Sequence, residues 1–373
     1  MKYKFSGIKA VLFFAVTITT PLLSWGQNND PIGREGLNTI TTAVPILLVS
    51  PDARGAALGE TGVATSPDAN SIHWNPAKLG FIQNKYGASL SFSPWLRNIG
   101  INDMSLSYLS GFYKVSDRAA FSGAMRYFDL GDIQFTDVLG NQGQLINPKE
   151  YTFDVAYGQQ LSENFSLGVG ARFIHSNLTQ GFSDNKAGNS GAVDIGAYYT
   201  KDLELGGREY NLAFGGNISN IGAKISYTSA DRKDFIPTNL RLGTAFTMNF
   251  DPFNKITLAV DANKLLVPSS VNDSIQSVPK AIFTSFSDAR GGLSEELQEV
   301  SISTGLEYVY NNLFAALIGY FYENPNKGDR HYLSLGLGLQ YQRIGINASY
   351  LASNTSSPLA NTLRFTLAFN FDE

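Results

Sequence analysis

Apolar residues alternate with small or polar residues at every second position from about residue 85 to the carboxyl end. The pattern is clear in Tyr151–Tyr157 and in Leu333–Tyr341. Successive side chains of a strand point to opposite faces, so a period of two predicts strands with one apolar face. We count about fourteen such segments, most of them about nine to eleven residues long, the length that a tilted strand needs to cross a bilayer.

Composition separates a membrane barrel from a soluble β-sandwich, whose strands also alternate. Charged residues are 16% of the 373 residues, against about 25% in an ordinary soluble domain. The non-apolar face carries Gly, Ser and Asn more than Lys and Glu, as the lining of a filled lumen would. Long connections such as 264–299 also alternate with short ones such as 342–343. Together these features predict an all-β fold, a transmembrane antiparallel β-barrel of about 14 strands.

The first residues resemble an export signal. Three lysines within residues 1–9 precede an apolar run, and Ser24 and Gly26 are small residues before a cleavage point at Gly26–Gln27. The alternative is an uncleaved anchor, for which the run is short. The predicted organisation is a signal peptide over 1–26, an amino-terminal plug over 27–84 and an outer-membrane barrel over 85–373.

Residues 27–84 do not alternate, and they contain five prolines. A barrel of this width needs filling, so we expect this segment to lie in the lumen as a plug. Charges that face the lumen must pair with one another, with the plug or with water; the alternative is a hydrated pore without a plug. The charged positions expected to face the lumen are Arg126, Asp154, Arg172, Asp194, Arg241, Asp261, Glu307 and Arg364.

Two motifs lie in the predicted plug, PDARGAALGETGVA at 51–64 and NSIHWNPAKLG at 70–80. Their glycines permit close backbone approach, and the Arg54 guanidinium can fork onto a lumen carboxylate or onto backbone carbonyls. Pro76 disfavours helical geometry at the preceding residue, and Trp74 can wedge against the wall. We therefore expect a structural role for the motif residues Asp52, Arg54, Gly55, Gly59, Trp74, Asn75 and Pro76.

These motifs, the chain length and the Gln27 start resemble the PorV (LptO) family of the type IX secretion system of Bacteroidetes, a branch of the FadL-like outer-membrane proteins. The resemblance covers essentially the whole chain. One departure is that Asp372 and Glu373 follow Phe371, which displaces the usual terminal aromatic residue.

The resemblance implies a non-enzymatic partner of the large type IX translocon barrel and of the surface sortase complex. Such a protein captures the carboxy-terminal signal domain of a secreted protein and carries it to the enzyme that attaches it to lipopolysaccharide. The long loops would be extracellular, and both barrel termini would be periplasmic.

The connection from Lys264 to Glu299 is the candidate partner-binding loop, because it mixes apolar and acidic residues, and Leu293–Leu297 can form a short helix. The alternative is an ordinary shielding loop. The apolar residues expected to contact a partner are Leu265, Leu266, Val267, Ile282, Phe283 and Phe286.

Other functions remain open at this point. A FadL-like transporter of hydrophobic molecules such as long-chain fatty acids would need an apolar pocket, which Ile46–Leu48 could supply. Catalysis is not expected, because adjacent His175 and Ser176 point to opposite strand faces and cannot pair. Three scattered His and no Cys predict no metal or cofactor, and a net charge of −4 gives no reason to expect nucleic acid.

Overall fold

The computed structural model describes residues 39–136, 139–178, 186–228, 233–269, 276–353 and 361–371. The predicted signal peptide and its cleavage point at Gly26–Gln27 lie outside the described residues. Within the described ranges, no helix has the length and apolar character needed to cross a bilayer.

Fourteen of the sixteen strands in the described residues are antiparallel neighbours that close into a barrel, in which the first strand pairs with both the second and the last. The fold predicted from the alternating pattern is therefore confirmed. The strands are β1 (Tyr86–Pro94), β2 (Ser105–Ser116), β3 (Ala119–Asp129), β4 (Ile133–Thr136), β5 (Gln142–Ile146), β6 (Lys149–Gln160), β7 (Phe165–Asn177), β8 (Gly188–Leu205), β9 (Arg208–Gly222), β10 (Asn239–Asn249), β11 (Asn254–Leu265), β12 (Ser301–Tyr310), β13 (Phe314–Tyr322), β14 (His331–Tyr341), β15 (Ile344–Ser353) and β16 (Thr362–Phe371).

The short strands β4 and β5 form a separate hairpin between β3 and β6, so β3 pairs directly with β6. This hairpin was not predicted. Its strands have four and five residues, which is too short for an alternating pattern to stand out from a loop.

The barrel is apolar outside and polar inside. In β1, Leu90 is 50% exposed, whereas Ser89 and Ser91 are each 1% exposed. Leu90 lies opposite Leu109 on one neighbouring strand and Leu367 on the other, which continues the apolar outer surface across the seams. A soluble sheet exposes its polar face, whereas this barrel exposes its apolar face, as expected for a surface in contact with lipid.

The two ends of the barrel differ. At what we call the turn end, the connections have two to four residues, as in 117–118 and 250–253. At the opposite, loop end lie the long connections 95–104, 130–148, 178–187, 223–238, 266–300, 323–330 and 354–361. Strand β1 begins and β16 ends at the turn end.

The helices lie in residues 39–85, which we call the amino-terminal segment, or in loop-end connections. The helix predicted at Leu293–Leu297 is confirmed, whereas the helix at Val278–Thr284 was not predicted. The α-helices are α1 (Ala53–Ala57), α2 (Ser71–Trp74), α3 (Val278–Thr284) and α4 (Leu293–Gln298), and 3-10 helices cover Pro45–Leu48, Pro76–Phe81 and Arg97–Ile99.

The backbone of the amino-terminal segment lies directly against glycines of the barrel wall. A Cβ built on Gly168 would lie 2.3 Å from the Ala77 amide nitrogen, and one on Gly319 would lie 2.0 Å from the Gly59 nitrogen. The segment can therefore approach the wall only where the strands lack side chains. The predicted plug boundary at Gln27 falls outside the described residues, so the extent of the plug stays a prediction.

We predict that Gly168→Ala destabilises the barrel by about 1–3 kcal/mol, because the new methyl group forces the backbone at Ala77 away from β7. The measurement is the urea midpoint of the folded, heat-modifiable band on a denaturing gel. Gly123→Ala is the matched control, since a Cβ there meets its nearest atom at 3.8 Å. Equal midpoints for the two variants would contradict this close packing.

Candidate functional site

The amino-terminal segment runs through the barrel from the loop end to the turn end. Near its start, the Ala43 amide donates a hydrogen bond of 2.9 Å to the Phe235 carbonyl in connection 223–238. Near its end, the Lys85 amide donates one of 2.9 Å to the Phe371 carbonyl of β16. The segment therefore connects the loop-end surface with the lumen interior.

Asp52 joins the two motifs of the segment. Its carboxylate caps α1 by accepting from the Gly55 amide at 2.8 Å, and it also accepts from the Trp74 indole nitrogen at 2.8 Å. Burial raises the pKa of Asp52, and the nearby Asp68 carboxylate adds to this. The Trp74 ring lies so close to Gly55 that a Cβ there would be 2.2 Å from it.

Trp74 also reaches the wall, because the Arg241 guanidinium of β10 lies 4.6 Å from the centroid of its ring.

Asn75 has φ −166° and ψ 107°, an extended conformation, as expected before Pro76. Its side-chain amide donates to the Val63 carbonyl at 3.1 Å and to the Ala197 carbonyl of β8 at 2.9 Å. Gly59 has φ +68°, and its amide donates to the Ser334 hydroxyl of β14 at 3.0 Å.

Arg54 makes the fork that the sequence predicted. Its Nε and Nη2 donate to the two oxygens of Glu307 on β12 at 2.9 and 2.8 Å, and Nη1 lies 3.2 Å from Asp68. Although burial disfavours the charged form, these carboxylates raise the pKa of Arg54 above its ordinary value. The pair links the segment to the wall in a planar, bidentate geometry.

Other predicted lumen charges also bind the segment. The Asp261 carboxylate accepts from the Gly62 and Val63 amides at 2.8 and 3.0 Å. Arg126 donates to the Ile46 carbonyl at 2.5 Å and lies 2.9 Å from Nδ1 of His73.

The predicted charges Asp154, Arg172 and Asp194 interact with one another within the wall. Arg172 lies 2.6 Å from Asp154 and 3.3 Å from Asp194, and it also donates to Asn220. Arg364 is 2% exposed, and its Nε and Nη2 have no hydrogen-bond partner in the described part of the chain.

Connection 266–300 is held by ion pairs that face inward. Lys264 Nζ lies 2.9 Å from Glu296 and 2.6 Å from Glu299, and Lys327 Nζ lies 2.6 Å from Glu295 and 3.1 Å from Glu299. Carboxylates of this connection come within 4.8 Å of one another. Glu296 and Glu299 already pair with Lys264, and Asp288 accepts from the Ser269 amide and hydroxyl, so we assign no metal to them.

The structure corrects part of the predicted partner-binding set. Leu266 and Val267 are 1% and 2% exposed, and Leu265 is half-buried. The reason is that Val267 packs with Phe235 and Ala281 in a hydrophobic cluster beneath α3. These leucine and valine side chains therefore support the loop and cannot form its outer face.

The outer face of connection 266–300 carries other apolar residues. Phe283 and Phe286 of the predicted set are 78% and 50% exposed, and Ile282 is half-buried. Leu293 and Leu297 are 75% and 66% exposed. They are four residues apart in α4 and so share one helix face. The sequence already contained this spacing, although only the helix was predicted from it.

Two features are relevant to the alternative that the protein is a transporter, namely the continuity of the barrel wall and a cavity at the loop end. The described pairings run along all fourteen seams, with register shifts between β2 and β3 and between β8 and β9. A cavity of about 690 Å³ at the loop end is lined in part by Val44 and Ile46. Leu47 is buried, and Leu48 is half-buried.

Known proteins resemble this chain both in sequence family and in fold. A family model described as type IX secretion system protein PorV matches residues 33–272. No curated protein matches the chain. The solved structures that it resembles include a deletion mutant of the TodX monoaromatic hydrocarbon channel, with 12% identity, 86% of this chain and 99% of that chain covered, and a TM-score of 0.49.

Two further barrels are similar. The Ralstonia pickettii toluene transporter TbuX has 11% identity, 87% and 99% coverage of the two chains, and a TM-score of 0.47. A Pseudomonas aeruginosa FadL homologue has 12% identity, 87% and 99% coverage, and a TM-score of 0.47.

We predict that Arg54→Met costs about 3–5 kcal/mol of unfolding free energy, because it leaves the Glu307 carboxylate buried without a cation. Adding Glu307→Leu should recover most of that loss, and urea unfolding of both single variants and the double variant measures the coupling. Arg330→Met is the control, since its pair with Glu323 is more exposed and should contribute little. Additive losses at Arg54 and Glu307 would contradict the assigned pair.

We predict that His73 makes the barrel sensitive to mild acid. Burial, followed by Arg126, Arg241 and Arg172, lowers the pKa of His73 well below 6.5. The unfolded chain therefore binds a proton that the folded chain does not, and stability falls as pH drops below 6.5, by up to about 1.4 kcal/mol per pH unit.

The measurement is the unfolding midpoint of wild type and His73→Asn between about pH 7 and pH 5. The variant should lose less stability on acidification. His175→Asn is the control, because His175 bonds to Asn189 at an exposed position. Equal acid sensitivity of wild type and His73→Asn would refute the prediction.

Proposed function

Because the chain belongs to the PorV family of type IX secretion system proteins, we propose that it is a non-enzymatic adaptor of that system. In this role the outer-membrane barrel binds the large translocon barrel and the carboxy-terminal signal domain of secreted cargo. It then passes the cargo to the surface sortase complex, which attaches it to lipopolysaccharide. The loop end faces the outside of the cell, and both barrel termini face the periplasm.

The observation that carries this proposal is the outer face of connection 266–300. Its carboxylates at Glu295, Glu296 and Glu299 turn inward onto two lysines, which leaves Phe283 and Leu293 among the side chains exposed to water. An exposed apolar face on an element fixed by buried ion pairs is typical of a protein-binding surface.

The lumen supports an adaptor in preference to an open channel. The amino-terminal segment forms hydrogen bonds with the wall at several levels, including those from Asp261 and Asn75. A molecule that crossed the barrel would have to break these contacts. The rigid barrel then serves as a scaffold for its loops.

A FadL-like transporter of hydrophobic molecules is the second candidate, and the loop-end cavity is the observation that favours it. Deletion of the gene distinguishes the two functions. Loss of surface attachment of secreted proteins supports the adaptor. Impaired growth on long-chain fatty acids with attachment intact supports the transporter.

We predict that replacing Phe283, Phe286, Leu293 and Leu297 by Ser lowers recovery of the translocon barrel in affinity purification from mild detergent by at least about tenfold, as expected when central apolar contacts are lost. Quantitative mass spectrometry of the purified material measures this. Ile99→Ser is the control, because Ile99 is 57% exposed in a different connection, 95–104. Unchanged recovery, with a normal heat-modifiable band, would contradict the assignment of this face.

A further inference from the structure

The cavity of about 690 Å³ at the loop end contains a buried carboxylate that the proposed secretion role does not use. Most of its lining is apolar and comes from the amino-terminal segment and from loop-end connections, including Ile46, Trp95 and Leu130, while Phe128 comes from β3. A cavity of this size and polarity is typical of a site for one small molecule.

Glu150 of β6 is the buried acid of this lining. It is 4% exposed, and its Oε1 accepts a hydrogen bond of 2.6 Å from the Ser176 hydroxyl of β7. The Tyr227 hydroxyl, which also belongs to the lining, donates in turn to Ser176 at 2.9 Å. This chain of donors fixes the carboxylate and leaves Oε2 without a hydrogen bond from any residue that the structure describes.

The other charges of the lining do not neutralise Glu150. Arg330 directs Nε and Nη2 to the two oxygens of Glu323 at 2.8 Å each, so its charge is already paired. Asp234 also lines the cavity, and its charge interacts with that of Lys224. Glu150 is therefore the charge of the lining that no cation in the described part of the chain pairs with.

We propose that this cavity binds a small amphiphile with an apolar body and a cationic amine head, and that the head pairs with Glu150. The apolar lining accepts the body, and an ammonium group supplies the donor that Oε2 lacks. At this position an amine should bind more tightly than a fatty acid of the same length, because the fatty acid's carboxylate would lie next to the Glu150 carboxylate. The site does not depend on the secretion role proposed above.

The test uses purified barrel in nanodiscs of zwitterionic lipid and three probes with the same chain, ω-bromodecylamine, ω-bromodecanol and ω-bromodecanoate. Bromine quenches tryptophan at short range, and Trp95 lines the cavity. The concentration that gives half-maximal quenching should be lower for the amine than for the carboxylate, by about tenfold or more. Trp95→Phe should remove the saturable quenching.

Glu150→Gln keeps the acceptor for Ser176 and removes the charge, so it should bring the amine and the carboxylate to similar affinities. Ser176→Ala keeps the charge and should retain the preference for the amine. Equal quenching of the wild type by all three probes, or tightest binding of the carboxylate, would overturn the proposal. That comparison needs no variant, so it decides the matter even if Glu150→Gln fails to give the heat-modifiable band.

Discussion

A closed barrel with an apolar outer surface has to enclose its polar face, and this constraint governs the rest of the molecule. Charges on the inner wall cannot reach bulk water freely, so a partner inside the ring stabilises them; Arg364, whose Nε and Nη2 have no partner in the described residues, is an exception. Some find one in the wall, as Arg172 does with Asp154 and Asp194. Others find one in the amino-terminal segment, as Glu307 does with Arg54 and Asp261 does with the Gly62 amide.

The same segment also organises the surface at the loop end. Ile40 packs against the cluster that contains Phe235, Val267 and Ala281, so the support beneath α3 is built in part from residues far away in sequence. The lumen filling and the proposed partner-binding loop are thus one packed structure. A substitution in the segment near Ala43 would therefore alter the packing beneath the outer face of connection 266–300.

The alternating pattern predicted strands, but the low content of charged residues and the alternating loop lengths were needed to choose a membrane barrel over a soluble sandwich. The sequence left two partners open for the Arg54 fork, a lumen carboxylate or backbone carbonyls, and the structure has it on the Glu307 carboxylate. The error at Leu266 and Val267 has a physical cause. Val267 is buried against Phe235, and Ile40 packs against the same cluster, yet no local pattern in the sequence connects these residues. Of the residues Ile46–Leu48, which could supply an apolar pocket, Ile46 lines the loop-end cavity; the other lining residues were not predicted, because many of them come from separate connections.

The course of the amino-terminal segment has a consequence for assembly. Residues 43 and 85 lie at opposite ends of the ring, and β1, which follows directly, forms a seam with β16. If that seam joined first, residues 39–85, which carry the bulky Trp74, would have to be threaded through a closed ring past buried wall arginines such as Arg126 and Arg241. This threading is avoided if the amino-terminal segment packs against the nascent sheet first and the β1–β16 seam closes around it afterwards. In that order of assembly the amino-terminal segment is in place before the barrel closes, and it is not inserted into a finished barrel.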